Sequence, residues 1–494
     1  MCTFVTLDDG RTPKADRRRP NADGTAGSEP LWVIQSQYGT MEVFGSSGTR
    51  GVANEELTPG FVLRVAKAAG TAWGVERVAV GRDTRRTGRM LADAASSGLA
   101  SVGVDVDRVG IVPTPAAQLY AEREDVPAMV ITASHNPPQY NGVKLVGSDG
   151  VELAIAELER VEDVLLGEAF ATARWDETGR AREVDGVRRR YVEGALEALD
   201  RDRIAAADLT VALDPGHGAG SLTSPEFFRE LGCRVVTVNA QADGRFPGRD
   251  PEPVSGNLAD LGRLVRASGA DVGIAHDGDA DRAIFFDESG SYVEGDAALA
   301  ALAAAELEAG DTTVSAVNVS QRLVDVVTDA GAEIELTPIG STNIITRIRE
   351  LEGEGRRVPI AGEGNGGIFF PAYRLSRDGA FTAGKFLELV ADRSVSELVA
   401  PYDGYANVRH NVEYGSTAER DAMLDAAANH AKESDAELNT RDGYRLDHGD
   451  AWVLARPSGT EPLVRVYAEA RDRGRAEELA GSMHDALLEA KASV

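Results

Sequence analysis

Two short segments hold residue types whose spacing suits phosphoryl chemistry. Residues 132–137 read Thr-Ala-Ser-His-Asn-Pro and follow the apolar run Ala128-Met129-Val130-Ile131. They offer Ser134 as a hydroxyl nucleophile in a tight polar loop. Residues 277–282 read Asp-Gly-Asp-Ala-Asp-Arg and follow Val272-Gly273-Ile274-Ala275. Asp277, Asp279 and Asp281 stand at i, i+2 and i+4. In extended chain alternate residues point to one side, so the three carboxylates can converge on one ion. Oxygen ligands without thiol or imidazole suit a hard cation such as Mg²⁺. Three like charges beside the apolar Ala283-Ile284-Phe285-Phe286 would repel one another without it. A serine that carries a phosphoryl group needs such a cation to spread the charge, and Arg282 could neutralise it from the other side.

Three further segments carry polar groups that could serve the same site. Ser134 and His135 taken alone fit a turn as readily as a catalytic pair. The following Asn141-Gly142 predicts a tight turn that brings Lys144 back toward the serine. Lys144 is one of six lysines among 52 basic residues, and an ammonium exchanges protons as a guanidinium does not. Residues 362–367, Gly-Glu-Gly-Asn-Gly-Gly, lack the Lys-Ser/Thr of a P-loop. Glu363 and Asn365 there suit hydrogen bonding to sugar hydroxyls, or the segment is a plain flexible turn. Residues 456–462, Arg-Pro-Ser-Gly-Thr-Glu-Pro, lie between two apolar runs, with Arg465 beyond. Arg456, the hydroxyls of Ser458 and Thr460, and the Gly459 amide make an anion nest for a phosphate monoester.

The elements that must position these loops follow from periodicity. Val78–Val80, Val130–Ile131, Val211–Leu213, Val235–Val238 and Val272–Ile274 read as buried strands. Residues 57–69, 86–100, 257–267, 296–308 and 341–351 read as helices. The alternation predicts three consecutive α/β units around mostly parallel sheets, at 41–186, 187–290 and 291–400, without a strong internal sequence repeat. From 401 to 494, strands at 405–411, 451–455 and 463–469 with helices at 417–433 and 473–491 predict an α+β domain. Residues 1–40 read as a disordered extension, and Met41 as a candidate start of translation.

Composition narrows the function. The 494 residues suffice for several cores. No apolar run reaches the length of a membrane span, and the N-terminus lacks the apolar core of a signal peptide, so a cytoplasmic chain is expected. Two cysteines exclude a disulfide scaffold. A net charge of −28 makes nucleic acid a poor partner. An acidic, lysine-poor surface fits a salt-loving cytoplasm, where concentrated cations screen self-repulsion.

In order along the chain, the serine loop, the aspartate loop, the Gly-Glu-x-x-Gly-Gly loop and the Arg-Pro-Ser-Gly-Thr-Glu-Pro loop resemble those of the α-D-phosphohexomutases. Residues 44–51, Phe-Gly-Ser-Ser-Gly-Thr-Arg-Gly, resemble that family's N-terminal active-site loop. The resemblance spans residues 41 to about 470. It implies three alike α/β domains and a smaller α+β fourth around one cleft. It implies that Ser134 carries the phosphoryl group and that Asp277, Asp279 and Asp281 hold one Mg²⁺ beside it. Arg50, His135 and Lys144 would assist, with Arg50 and Lys144 as candidates for proton transfer. Glu363 and Asn365 would read the sugar, and Arg456, Ser458, Gly459, Thr460 and Arg465 would clamp the distal phosphate. The reaction would pass phosphate between O1 and O6 of a hexose through a sugar 1,6-bisphosphate, in a monomer or homodimer. Thr49, Asn365 and Ser341 depart from the commoner family residues. The Asn-Gly-Gly sugar loop and residues 54–59 look most like the archaeal phosphoglucosamine mutases, which favours glucosamine phosphate over mannose or glucose phosphate. A sugar-phosphate sensor would need neither Ser134 nor the aspartates, and a phosphatase would leave the distal clamp unexplained.

Overall fold

The computed structural model describes residues 43–45, 48–458 and 462–494. The extension at 1–40 and the candidate start at Met41 fall outside these, as do Gly459 and Thr460.

Three mixed sheets and one antiparallel sheet account for the strands. Across the first sheet lie Thr49–Val52, Tyr140–Val146, Ala128–Ile131, Arg77–Arg82, Asp105–Ile111 and Ala181–Glu183. Across the second lie Tyr292–Val293, Ile284–Phe286, Val272–Ala275, Thr210–Asp214 and Arg234–Thr237. Across the third lie Arg374–Arg377, Ile368–Phe370, Ala361–Gly362, Thr312–Ala316 and Glu333–Thr337. Apart from Ala181–Glu183, the three share one pattern of strand directions, although the outermost antiparallel strand comes first in the chain in the first sheet and last in the other two. Three parallel strands are followed by two antiparallel ones. The expectation of mostly parallel sheets therefore holds for only one side of each. The antiparallel strands give weak signals because some carry polar residues, as Tyr140–Val146 does with Asn141 and Lys144, and others, as Ile284–Phe286 and Ile368–Phe370, are only three residues long.

The shared topology places the chemistry. The Ser134 loop follows Ala128–Ile131, the aspartate loop follows Val272–Ala275, and the Glu363 loop follows Ala361–Gly362. Each connects the third strand across its sheet to the antiparallel neighbour, at the carboxyl end of a parallel strand, where α/β sheets offer a crevice. No sequence repeat marks this equivalence.

Local signals explain the element ends. The helix Pro59–Trp73 begins two residues later than its apolar pattern suggests. The Thr58 hydroxyl accepts from the Phe61 amide at 3.2 Å, Pro59 occupies the first turn, and Gly74 ends the helix with φ 60°. A single apolar cluster runs from Ala128 and Val130 through Val211 and Ile274 to Ile368 and Phe370, joining the first three domains.

The fourth sheet is wholly antiparallel, ordered Ala406–Glu413, Leu463–Ala470, Ala451–Pro457, Tyr444–Asp447, Glu437–Asn439. Helices Thr417–Glu433 and Arg473–Ala492 cover one face through Met423, Ala427, Ala480 and Met483. Trp452 and Leu454 pack the other face onto Val317 of the third domain. Arg445 lies under the Trp452 ring and donates to the Val317 carbonyl at 2.6 Å.

Candidate active site

Ser134 sits in the left-handed region, with φ 49°, and is fully buried. Its hydroxyl donates to Asp277 Oδ2 at 2.6 Å and lies 3.4 Å from His135 Nδ1. The serine and aspartate loops, 143 residues apart in sequence, thus meet directly. Gly278 makes this approach possible, since a Cβ there would stand 2.6 Å from the Ser134 carbonyl oxygen.

The three aspartates converge, but not as extended chain. The segment turns, with the Ala280 amide bonded to the Asp277 carbonyl at 3.3 Å and Ala280 at φ 56°. Carboxylate oxygens of Asp277, Asp279 and Asp281 lie within 4.8 Å of one another. All three residues are buried, and among the described residues each Oδ1 lacks a hydrogen-bond partner. Three buried carboxylates this close together, each with an unsatisfied oxygen, fit a hard divalent cation. Burial, then Asp281 and Asp279, push the Asp277 carboxyl well above the ordinary carboxylate range. Burial acts on Asp281 in the same direction, but Arg377, Lys144 and Arg282 outweigh it and hold that carboxyl well below the range.

Lys144 reaches the site by a route other than the expected turn. Asn141 and Gly142 belong to the strand Tyr140–Val146, where Gly142 pairs with Arg50. A Cβ on Gly142 would stand 2.6 Å from the Thr132 carbonyl oxygen, so the glycine serves close strand packing. Lys144 Nζ lies 2.9 Å from Asp281 Oδ2, 3.2 Å from Asp279 Oδ2 and 3.6 Å from Glu152 Oε1. Burial opposes its charge, but these carboxylates overcome that and raise the ammonium pKa above its ordinary value. Arg50 Nη1 donates to Asn136 Oδ1 at 3.1 Å, and burial lowers its pKa. Arg282 Nη2 lies 3.0 Å from His135 Nδ1. The Arg282 charge, then burial, bring the His135 pKa down to about 2, so that imidazole is neutral at physiological pH.

Several residues of this cluster gave no sequence signal. Arg377 Nη2 bonds Asp281 Oδ2 at 2.6 Å, and its Nη1 lies 4.0 Å from Glu363 Oε2, tying the third domain to the aspartates. The Thr114 hydroxyl donates to Asp279 Oδ2 at 2.6 Å. Glu152 accepts from Ser341 at 2.8 Å. Each comes from an ordinary element remote in sequence, and only the assembled fold brings it in.

The substrate-reading candidates are more loosely held. Asn365 Nδ2 donates to Glu363 Oε2 at 3.3 Å, and its Oδ1 accepts the Gly367 amide at 3.0 Å. On the fourth sheet Arg456 and Arg465 stand directly opposite one another. Like charges at paired positions destabilise a ladder. Asp442 offsets part of this, 3.1 Å from Arg456 Nε. The Ser458 amide bonds the Leu463 carbonyl at 2.8 Å, closing the loop between these strands.

Family models of phosphoglucomutase/phosphomannomutase match all four domains. The three α/β/α domains match at residues 41–172, 189–290 and 294–405, and the C-terminal domain at 411–486. The chain belongs to the α-D-phosphohexomutase family. It is a mutase, an isomerase by class. It is 41% identical over 449 residues to a Thermococcus kodakarensis protein named "Phosphoglucomutase/phosphomannomutase", covering 88% of this chain and 96% of that one. It is 39% identical over 441 residues to a Methanopyrus kandleri protein named "Probable phosphoglucosamine mutase", covering 88% and 95%. Among solved structures, a phosphoglucomutase/phosphomannomutase family protein of Burkholderia thailandensis superposes with a TM-score of 0.79 at 28% identity. That match covers 91% of this mutase and 97% of the other chain. Among the described residues no helix is long and apolar enough to cross a membrane.

Proposed function

We propose that this mutase interconverts hexose 6-phosphate and hexose 1-phosphate through a phosphoserine at Ser134, with glucosamine phosphate as its main substrate. The observation that carries this reading is the Ser134 hydroxyl, 2.6 Å from Asp277 within a group of three buried carboxylates. Mg²⁺ held by Asp277, Asp279 and Asp281 would neutralise the phosphoryl oxygens. A free sugar hydroxyl attacks phosphorus, the phosphorus–Oγ bond breaks, and Ser134 leaves as the hydroxyl once reprotonated. Arg50 and Lys144 are the candidates to take and give these protons. The 1,6-bisphosphate then turns, and Ser134 recovers the other phosphate. Positioning and charge neutralisation do most of the work in such transfers. Arg282 and Arg377 supply further positive charge beside the aspartates.

Phosphates look alike on every hexose, so sugar choice falls to Glu363, Asn365 and the Ser341 loop. Glucosamine phosphate rests on the Asn-Gly-Gly loop and on the M. kandleri relative's name. Glucose or mannose phosphate is the second reading, favoured by the name of the T. kodakarensis relative. Purified protein with Mg²⁺, assayed at low and molar KCl, decides between them. Glucosamine, glucose and mannose 6-phosphates are compared by kcat/KM for isomer formation. The expected order places glucosamine first, and a wide preference for mannose or glucose would reverse it.

A further inference from the structure

One arginine outside the reacting cluster holds the whole serine loop. Arg85 follows the strand Arg77–Arg82, which pairs with Ala128–Ile131 in the first sheet. It is 1% exposed. Its Nη2 donates to the Ser134 carbonyl at 2.8 Å and the Asn136 carbonyl at 2.6 Å. Its Nη1 donates to the carbonyls of Pro137 at 2.7 Å and Tyr140 at 3.0 Å. Four carbonyls between Ser134 and Tyr140 thus converge on a single guanidinium.

The other end of Ser134 is tied to the same group. Arg85 Nε pairs with Asp83 Oδ2 at 3.0 Å, and that oxygen also accepts the Thr132 hydroxyl at 2.8 Å. The Thr132 oxygen in turn accepts the Ser134 amide at 2.9 Å. The N–H and C=O of Ser134 are both anchored, by different routes, to one buried ion pair. A left-handed φ at a residue other than glycine costs free energy and persists where surrounding bonds over-determine it. The second domain covers the anchor. The Phe246 ring lies 5.2 Å from the Arg85 guanidinium carbon, and the Thr84 hydroxyl donates to the His217 carbonyl at 3.1 Å.

We propose that Asp83 and Arg85 are positioning residues, which touch neither substrate nor metal but fix the Ser134 backbone so that Oγ points at Asp277. The proposal rests on Ser134 as the phosphate carrier. A planar five-donor fork can span four carbonyls and a carboxylate, whereas the three donors of a lysine ammonium radiate from one point. Misplacing a reacting atom by about 1 Å costs on the order of 10²-fold in rate.

The test compares wild type, Arg85→Lys and Phe246→Leu. It reads kcat and KM for the sugar phosphate, the thermal melt, and Ser134 phosphorylation by intact mass. Arg85→Lys should lose about 30- to 100-fold in kcat with KM within about threefold, beyond any loss of folded fraction. Phe246→Leu keeps the guanidinium and thins its cover, so it should lose about three- to tenfold in kcat at unchanged KM. This second variant decides the matter where Arg85→Lys does not fold. A kcat within about twofold of wild type in the folded variants overturns the proposal, as does a loss that vanishes once rates are divided by folded fraction. Wild type that forms isomer without ever carrying phosphate on Ser134 overturns the phosphoserine reading instead, and this proposal with it.

Discussion

The three α/β domains and the fourth domain present their loops in opposite ways. The serine and aspartate loops sit at equivalent positions of equivalent sheets and are buried against each other, with nearly every charge paired. Lys144, Arg282 and Arg377 answer the aspartates, whose Oδ1 atoms have no hydrogen-bond partner among the described residues. The fourth domain offers two arginines side by side on an antiparallel ladder, with Asp442 against Arg456. The first arrangement fits a hard cation. The second sets like charges at paired positions of one ladder. The difference teaches that the serine and aspartate loops are built into the core shared by the first three domains, while the paired arginines stand on a separate sheet.

That contrast can be broken first at the metal group. Asp279→Ala should abolish turnover, at least 10³-fold, because Mg²⁺ demands near-ideal oxygen geometry and two carboxylates hold it poorly. Steady-state assays across Mg²⁺ concentration check this, and activity unchanged by excess EDTA would remove the metal from the account. A gentler change should follow on the fourth domain. Arg456→Ala removes a charge-assisted contact of about 1.5–3 kcal/mol, so KM should rise roughly ten- to hundredfold while Ser134 phosphorylation by a bisphosphate donor persists. A fall in kcat at constant KM would place Arg456 in the transfer step instead.

Smaller effects belong to the loop between these regions. Asn365→Ser should change the ratio of kcat/KM between glucosamine and glucose phosphates by about tenfold or less, with phosphorylation of Ser134 altered less. A constant ratio would show that the loop does not read the sugar. Asp296 lies behind this loop, its carboxyl carbon 2.2 Å from where a Gly364 Cβ would stand. Burial, then Glu469, push its pKa up to about 6. The folded protein therefore holds this proton more tightly than the unfolded chain does. The stability gained is full below about pH 4 and lost as pH rises through 6. Relative to Asp296→Asn, wild type should lose on the order of 1 kcal/mol between pH 4 and 7, read from denaturant midpoints.

Much of this was legible in the sequence, for physical reasons. Strands such as Val211–Leu213 and Val272–Ile274 are buried on both faces and announce themselves as apolar runs. The serine and aspartate loops compress their chemistry into six residues each. The antiparallel strand Tyr140–Val146 was not legible, because Lys144 points into a polar site that only the fold creates, and Ile284–Phe286 and Ile368–Phe370 are too short to stand out. Arg377, Arg85, Glu152 and Asp442 were silent because their partners are distant in sequence or hold no motif. The three consecutive α/β units were legible in the alternation of strands and helices, but no internal sequence repeat marks their likeness, since equivalent strand order constrains burial and not residue identity.

The central claim is that Ser134 passes phosphate to the sugar and takes it back. Enzyme carrying radiolabelled phosphate on Ser134, mixed with unlabelled hexose phosphate in a single turnover, tests it directly. The account predicts that the label leaves the Ser134 peptide and appears in the bisphosphate and then in the hexose monophosphates, and that Ser134→Ala takes up no label. Release of the label as inorganic phosphate, or steady turnover by Ser134→Ala, would contradict it.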